Sequence, residues 1–284
     1  RAVGELSTME SFAGRVAAIT GAGSGIGRAL ARQLAASGAH LALSDINDTG
    51  LAETVALCEG SARKVTSAHL DVADRAAVHA WADAVVADHG KANLIFNNAG
   101  VALGSTVEHM SYEDVEWLMG INFWGVVYGT KAFLPHLKAA GEGHVVNMSS
   151  VFGLVAIPSQ SAYNAAKFAV RGFTDALRLE LDIERCGVSC TTVHPGGIKT
   201  NIARSARVDA SVSAVAGDPE NARRDFEKNL ITTPEKAARQ ILAAVRQDKR
   251  RALIGPDAKL IDLASRLPAG IYQRVIAKGA TRGR

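Results

Sequence analysis

Short apolar runs and longer amphipathic stretches take turns along this chain. Arg15 to Thr20 (Arg-Val-Ala-Ala-Ile-Thr) has the length of a strand, and a helical pattern through Ala29, Leu30 and Leu34 follows it to a stop at Gly38. His40 to Ser44 predicts a second strand, Val65 to Leu70 a third, and Asn93 to Phe96 a fourth, with a helix from Asp74 to about His89 between the last two. A single long helix is expected from Tyr112 to about Leu137, then a strand from Gly143 to Met148, a helix from Ser161 to Arg185 and a strand from Val188 to Val193. Thr233 as N-cap with Pro234 in the first turn starts another helix, and Arg251 to Gly255 reads as a seventh strand. Such alternation predicts an α/β chain with a doubly wound, mainly seven-stranded parallel sheet flanked by helices. Ligands of that architecture lie beyond the carboxyl ends of the strands, which is where this chain collects its glycine and polar residues.

With no internal repeat or linker, a single domain is expected over 12–256. It includes a polar, Ala/Ser-rich stretch at 198–230 whose length and lack of period suit a lid. Residues 257–284 form a basic helical extension in this reading. Residues 1–11 form a flexible N-terminal one, with Met9 as a candidate natural start.

The first strand runs directly into Gly21-Ala-Gly-Ser-Gly-Ile-Gly27, and a helix follows. In the order strand, glycine turn, helix, the glycines let the backbone approach a pyrophosphate, and the helix N-terminus offers free N–H groups and a positive dipole end. The spacing is Thr-Gly-x-x-x-Gly-x-Gly, and a glycine turn that binds nothing is the bland alternative. Asp45 closes the second strand, 18 residues beyond Gly27, where a carboxylate accepts hydrogen bonds from an adenosine ribose. It also opposes a 2′-phosphate, since like unit charges 4 Å apart repel by about 4 kcal/mol at an effective dielectric near 20. Asp45 therefore points to NAD rather than NADP, against the plainer reading of a helix cap. Asn97-Asn98-Ala99-Gly100, at the end of the fourth strand, is small and amide-rich enough for close approach to an adenine and its ribose.

The chain has 284 residues, 48% of them hydrophobic, 21% charged and 5% aromatic, which is ample for a large core and leaves no sign of disorder. Cys58, Cys186 and Cys190 make neither a metal-type nor a disulfide pattern, so a reducing, cytoplasmic setting without a bound metal is expected. There is no run of about 18 apolar residues and no signal-like N-terminal core. The net charge of +4 hides an asymmetry: from Asn221 onward 15 Lys+Arg face 6 Asp+Glu, while the remainder carries 17 against 22. A solvated helical face explains such a tail without nucleic acid, because aromatics are almost absent from it. Its apolar stripes, through Leu260, Ile261, Ala264, Leu267, Ile271, Tyr272, Val275 and Ile276, leave three readings open: subunit packing, cover for a substrate pocket, or peripheral membrane contact.

The candidate chemistry lies between Asn147 and Lys167. Tyr163 and Lys167 are four apart, so on a helix they share a face. A lysine ammonium there favours the phenolate and is expected to lower a tyrosine pKa that starts near ~10. Ser150, thirteen residues before the tyrosine, can bring a hydroxyl to the same spot, and Ser149 on a strand points to the opposite face.

Taken in order, Thr20-Gly-Ala-Gly-Ser-Gly-Ile-Gly27, Asn97-Asn-Ala-Gly100, Asn122, Ser150, Tyr163-x-x-x-Lys167 and Pro195-Gly196 closely resemble the motifs of the classical short-chain dehydrogenase/reductase family, over roughly 12–200. The resemblance implies a Rossmann-type domain and a metal-free oxidoreductase. In it Asn122, Ser150, Tyr163 and Lys167 are catalytic: Tyr163 as acid/base, Ser150 holding the substrate oxygen, Lys167 on the nicotinamide ribose, and Asn122 placing a water in a proton relay. It implies cofactor contacts from Gly21, Ser24, Gly25, Ile26 and Gly27, from Asp71 and Val72 near the adenine, and from Asn98, Ala99 and Gly100 near its ribose. Pro195, Gly196, Ile198 and Thr200 would sit toward the nicotinamide. It also implies a homodimer or homotetramer built on the helices bearing Asn122 and Tyr163. The expected substrate is a small apolar secondary alcohol or ketone, from Leu103, Phe152, Leu154, Val155 and Ile157 around the chemistry. A nucleotide-binding regulatory or membrane-associated protein that uses its basic tail is the alternative.

Overall fold

The computed structural model describes residues 9, 11–216 and 230–281. Most of the expected N-terminal extension (1–11), residues 217–229 of the expected lid (198–230) and the last three residues therefore lie outside the described residues.

Seven parallel strands form the main sheet: β1 (Val16–Thr20), β2 (His40–Asp45), β3 (Val65–His69), β4 (Leu94–Asn97), β6 (Gly143–Met148), β7 (Val188–Pro195) and β9 (Arg251–Ile254). Their order across the sheet is β3-β2-β1-β4-β6-β7-β9, so the chain winds outward both ways from β1 and β4. The expected architecture is observed. Alternate residues of β1 show how it is held. Ala17 and Ile19 enter one core with Leu30 and Leu34 of α1 (Gly25–Ala36) and Ile241, Leu242 and Val245 of α8 (Pro234–Arg246). Val16 and Ala18 enter the other, with Trp81 and Val85 of α3 (Arg75–His89), Phe133 and Leu137 of α5 (Gly125–Ala139), and Leu177 and Leu181 of α6 (Ser161–Glu184). The period of two along a strand thus serves two helix layers. Helix α2 (Asp48–Cys58) completes the first layer, and α8 begins as expected, with Thr233 accepting a hydrogen bond from the backbone N–H of Lys236 at 3.3 Å.

The long helix expected from Tyr112 to Leu137 is instead three pieces. Helix α4 (Tyr112–Met119) passes into a π-helical turn, Gly120–Trp124, before α5 begins at Gly125. The wide turn lets the Asn122 side chain reach backbone outside its own helix, and a Cβ at Gly125 would press within 2.8 Å of Val72, so the helix passes close to that strand end.

Two short strands, β5 (Leu103–Gly104) and β8 (Arg207–Val208), pair in parallel and fasten the beginning of the lid stretch. Arg207 stacks on Trp117 at 3.7 Å and ion-pairs with Asp114, both on α4. Beyond β8 a four-residue α7 (Ser213–Ala216) is the last described element before residue 230, and an isolated bridge joins Ile198 to Thr232. The tail forms α9 (Pro256–Ala264) and α10 (Ala269–Thr281).

At the rim opposite the strand C-termini, Arg178 of α6 is buried and meets Asp248 through two bonds, at 2.9 and 2.7 Å, while Ser189 donates to the same carboxylate. The Asp248 side chain is only 8% exposed. Arg178 keeps Asp182 (3.1 Å) and the Cys190 carbonyl (3.0 Å) as partners, so Asp248→Ala removes charge-assisted bonds without stranding the guanidinium and is expected to lose about 1.5–3 kcal/mol of stability, read from the shift in denaturant midpoint.

Candidate active site

Strand β6 ends at Met148 and delivers Ser149 and Ser150 to the edge of the sheet. From there the chain folds back before α6 begins. Asn164, in the first turn of α6, holds this return: its Oδ1 accepts from Ile157 N (3.1 Å) and its Nδ2 donates to the carbonyls of Phe152 (2.9 Å) and Val155 (3.1 Å). Ser150 Oγ accepts from Phe152 N at 3.1 Å and stands within hydrogen-bonding reach of the Tyr163 hydroxyl. The Phe152 ring meets that of Tyr163 edge-on at 5.9 Å. One turn along α6, Lys167 Nζ donates to the Met148 carbonyl at 3.0 Å and lies 5.5 Å from the Tyr163 ring centroid. Ser149 Oγ turns the other way and donates to Lys167 O at 2.8 Å, which removes it from the trio as its strand parity predicts. Ser150, Tyr163 and Lys167 are brought together.

The electrostatics overturn one expectation. Burial pushes the Tyr163 hydroxyl up to about 12, opposed only in part by its hydrogen bond with Ser150. Burial also pulls the Lys167 ammonium down to about 8. Desolvation dominates here, so Tyr163 keeps its proton at neutral pH rather than losing it more easily.

Asn122 is fully buried. Its Oδ1 accepts from Val101 N and its Nδ2 donates to Val101 O, each at 2.8 Å, so the amide clamps the chain just after Gly100. A Cβ placed on Gly100 would lie 3.2 Å from Asn122 Oδ1 and 3.7 Å from Lys167 Nζ, so this glycine fills the corner between the two side chains.

The glycine turn fits a dinucleotide. Gly21 has φ +64, and a Cβ on it would come within 2.8 Å of Ala99 Cα; a Cβ on Gly27 would collide with the Gly21 carbonyl. Ser24 caps α1 by position, yet its side chain bonds no helix N–H, and the first turn carries no carboxylate, so the N–H groups there remain available to an anion. Thr200 lies against Gly25, and Ile26 packs on the core. Asp45 stands over the turn, with Oδ2 accepting from Gly23 N at 2.8 Å and Oδ1 from Asn47 N at 2.9 Å. Asn98 Nδ2 donates to the carbonyls of Thr20 and Gly21, so this amide braces the glycine turn. Asp71 accepts from Ala73 N at the end of β3, and Val72 is buried against Gly125. Pro195 ends β7, Gly196 follows it, and Ile198 is buried in the core beyond.

Four supporting roles escape sequence reasoning, that of Thr20 among them although the residue opens the glycine motif. Arg28 donates to the Gly23 and Gly50 carbonyls and joins the glycine turn to α2. Thr20 Oγ1 accepts from the backbone N–H groups of Asn98 and Ala99. His194, wholly buried, donates from Nδ1 to the Ser150 carbonyl at 2.8 Å, and burial pulls its imidazole down to about 4. Asn164 is the fourth. A polar residue inside an apolar run, such as His194 after Val193, is the signal that marks such a position.

A sequence profile for short chain dehydrogenases matches residues 15–211. The putative oxidoreductase SadH of Mycobacterium tuberculosis (strain ATCC 25618 / H37Rv) is 50% identical over 275 residues, which is 96% of this chain and 98% of that protein. An uncharacterized oxidoreductase of Bacillus subtilis (strain 168), YxnA, is 32% identical over 93% of this chain and 72% of its own length. Among solved structures, a short chain dehydrogenase/reductase from Burkholderia phymatum in complex with NAD superposes with a TM-score of 0.82 at 32% identity, covering 89% of this chain and 93% of the other. Levodione reductase gives 0.75 at 30% identity, covering 87% and 99%.

The lysine pKa carries a prediction about stability. A group held at about 8 in the folded chain against 10.5 unfolded favours folding fully above 10.5 and loses that contribution as pH falls toward 8. Burying the ammonium therefore costs about 3 kcal/mol at neutral pH. Lys167→Met is expected to be more thermally stable than the wild type at pH 7, and its advantage should shrink steadily from pH 8 to 10.5. Paired melting curves across that range check it.

Proposed function

The chain belongs to the short-chain dehydrogenase/reductase family and is an oxidoreductase of that family, and on that footing we propose that it interconverts a small, apolar secondary alcohol and its ketone with NAD as cofactor. The observation that carries this reading is the meeting of buried Ser150 and Lys167 with half-buried Tyr163 at one point beside Gly100 and Asn122. The nicotinamide ring, when bound, supplies the hydride donor or acceptor. Everything else falls to the chain.

Tyr163 gives a proton to the carbonyl oxygen in reduction and takes one from the alcohol in oxidation. Its raised pKa keeps it protonated and ready for the first of these, and an ammonium 5.5 Å from its ring, that of Lys167, favours the phenolate that the second requires. Ser150 Oγ holds the substrate oxygen next to the phenol. Lys167 would hold the nicotinamide ribose, and Asn122 would position a water linking Lys167 to solvent. Gly21, Ser24, Gly25, Ile26 and Gly27 would receive the pyrophosphate at the start of α1, while Asp71, Val72, Asn98 and Ala99 would border the adenosine. Pro195, Gly196, Ile198 and Thr200 would border the nicotinamide end. The preference for NAD rests on the Asp45 carboxylate at the glycine turn, which a 2′-phosphate would have to approach.

An apolar substrate suits the walls. Leu103, Leu154 and Val155 are buried around the site, and Phe152 lies against Tyr163. The chain acts as a homodimer or homotetramer in this reading. Phe168, Leu179 and Ile183 are exposed along one side of α6, and Gly172 between them has no neighbour within 4 Å of a built Cβ. A cytoplasmic setting suits the three unpaired cysteines.

Tyr163→Phe is expected to lower kcat by at least about a hundredfold while leaving NADH affinity within about twofold. NADH absorbance with a panel of secondary alcohols and ketones gives the first, and NADH fluorescence titration the second; retained turnover rejects the acid/base role. Asp45→Arg should move the NAD-to-NADP preference toward NADP by at least about tenfold in kcat/KM. A wild-type chain that already prefers NADPH sinks the cofactor assignment.

A further inference from the structure

The outward side of α9 and α10 is composed of aliphatic and cationic residues. Leu260 (69%), Leu263 (66%), Leu267 (49%), Ile271 (52%) and Val275 (66%) are exposed within sixteen residues of chain, far more than scattered surface leucines explain. Lys259, Arg266, Arg274 and Lys278 are exposed among them. Helical spacing puts the two kinds on shared faces: Lys259 and Leu263 are four apart, and Ile271, Arg274, Val275 and Lys278 follow the i, i+3, i+4, i+7 positions of one face.

The carboxylates of this segment are turned inward. Asp257 accepts from Gly197 N at 2.6 Å, and buried Asp262 accepts from Arg251 (3.4 Å) and Arg266 (2.8 Å). After Asp262 the sequence has no Asp or Glu, while Arg266, Arg274, Lys278, Arg282 and Arg284 all follow it.

A surface of this kind discriminates among occupants. Two-fold pairing with a second copy would set the same cations against themselves. Nucleic acid would meet the charge and leave five aliphatic side chains in water. A sheet of anionic headgroups over hydrocarbon satisfies both kinds at once: long cationic stems lie along the apolar surface with their heads among phosphates, and the aliphatic ends reach the acyl boundary.

We propose that α9 and α10 dock the protein peripherally on an anionic lipid bilayer. No helix among the described residues is long and apolar enough to cross a membrane, so the contact lies in the plane of the surface. Helix α10 also packs against α7, the described end of the lid, and so sets the bilayer beside the stretch that borders the substrate region.

The full chain, mixed with vesicles of phosphatidylcholine alone or with about 30% phosphatidylglycerol, is separated by flotation at about 0.15 M salt. Binding to the anionic vesicles should be at least about tenfold stronger, and most of it should be lost at about 0.5 M salt. Lys259→Gln with Arg274→Gln should weaken it, as should Leu263→Asn with Ile271→Asn and Val275→Asn; NADH titration and the melting curve check that each variant is folded. Equal binding to both vesicle types, no binding to either, or binding that both variants retain overturns the proposal. So does a wild-type chain whose vesicle-free sedimentation mass falls in the aliphatic variant, because a second copy then owns that face.

Discussion

A lysine ammonium removed from water is held by very little: one backbone carbonyl, that of Met148, and the face of one phenol. Such a charge is costly wherever the surrounding chain can relax around it, so it persists only in a frame that cannot. Strand β6 and helix α6 supply the frame through contacts that cross between them. Ser149 binds the carbonyl of Lys167 itself, Asn164 closes the return between strand and helix, and Ser150 is fixed from behind by His194. Gly100 provides the corner that a larger residue would fill. The chemistry of Tyr163 follows from this frame, because the burial that depresses the lysine is also what raises the phenol.

Helix α6 is fastened at both of its ends, for unrelated purposes. Its first turns carry Tyr163, Asn164 and Lys167 at the rim where the strands finish. Its last turns carry Arg178, which binds Asp248 at the rim where strands β7 and β9 begin. Between the two, Leu177 and Leu181 lie against the sheet. The helix can therefore neither slide nor roll without breaking a buried polar contact, and the four-residue step from Tyr163 to Lys167 keeps its aim.

Much of this was legible from residue order. The strands announced themselves as apolar runs, and the residues with chemistry stood at their carboxyl ends because a parallel sheet directs them there. The π turn at Gly120–Trp124 was not legible, since one extra residue per turn hardly disturbs a helical pattern that continues on both sides. The direction of the Tyr163 shift was not legible either: spacing gives the neighbour, and only burial gives the size of the opposing effect. The part Asn98 plays in bracing the glycine turn was not legible, because its amide donates to the Thr20 and Gly21 carbonyls, partners that no local pattern encodes. The two-residue pairing of β5 with β8 is too short to leave any period at all.

That small pairing has a consequence for how freely its own residues can vary. It fixes the chain at Arg207 and Val208, and the bridge between Ile198 and Thr232 fixes it again where it rejoins the sheet. Both joints are backbone pairs, so the side chains at Leu103, Val208, Ile198 and Thr232 can change without undoing them. Substitutions there leave untouched the contacts between β6 and α6 that set Ser150, Tyr163 and Lys167 side by side.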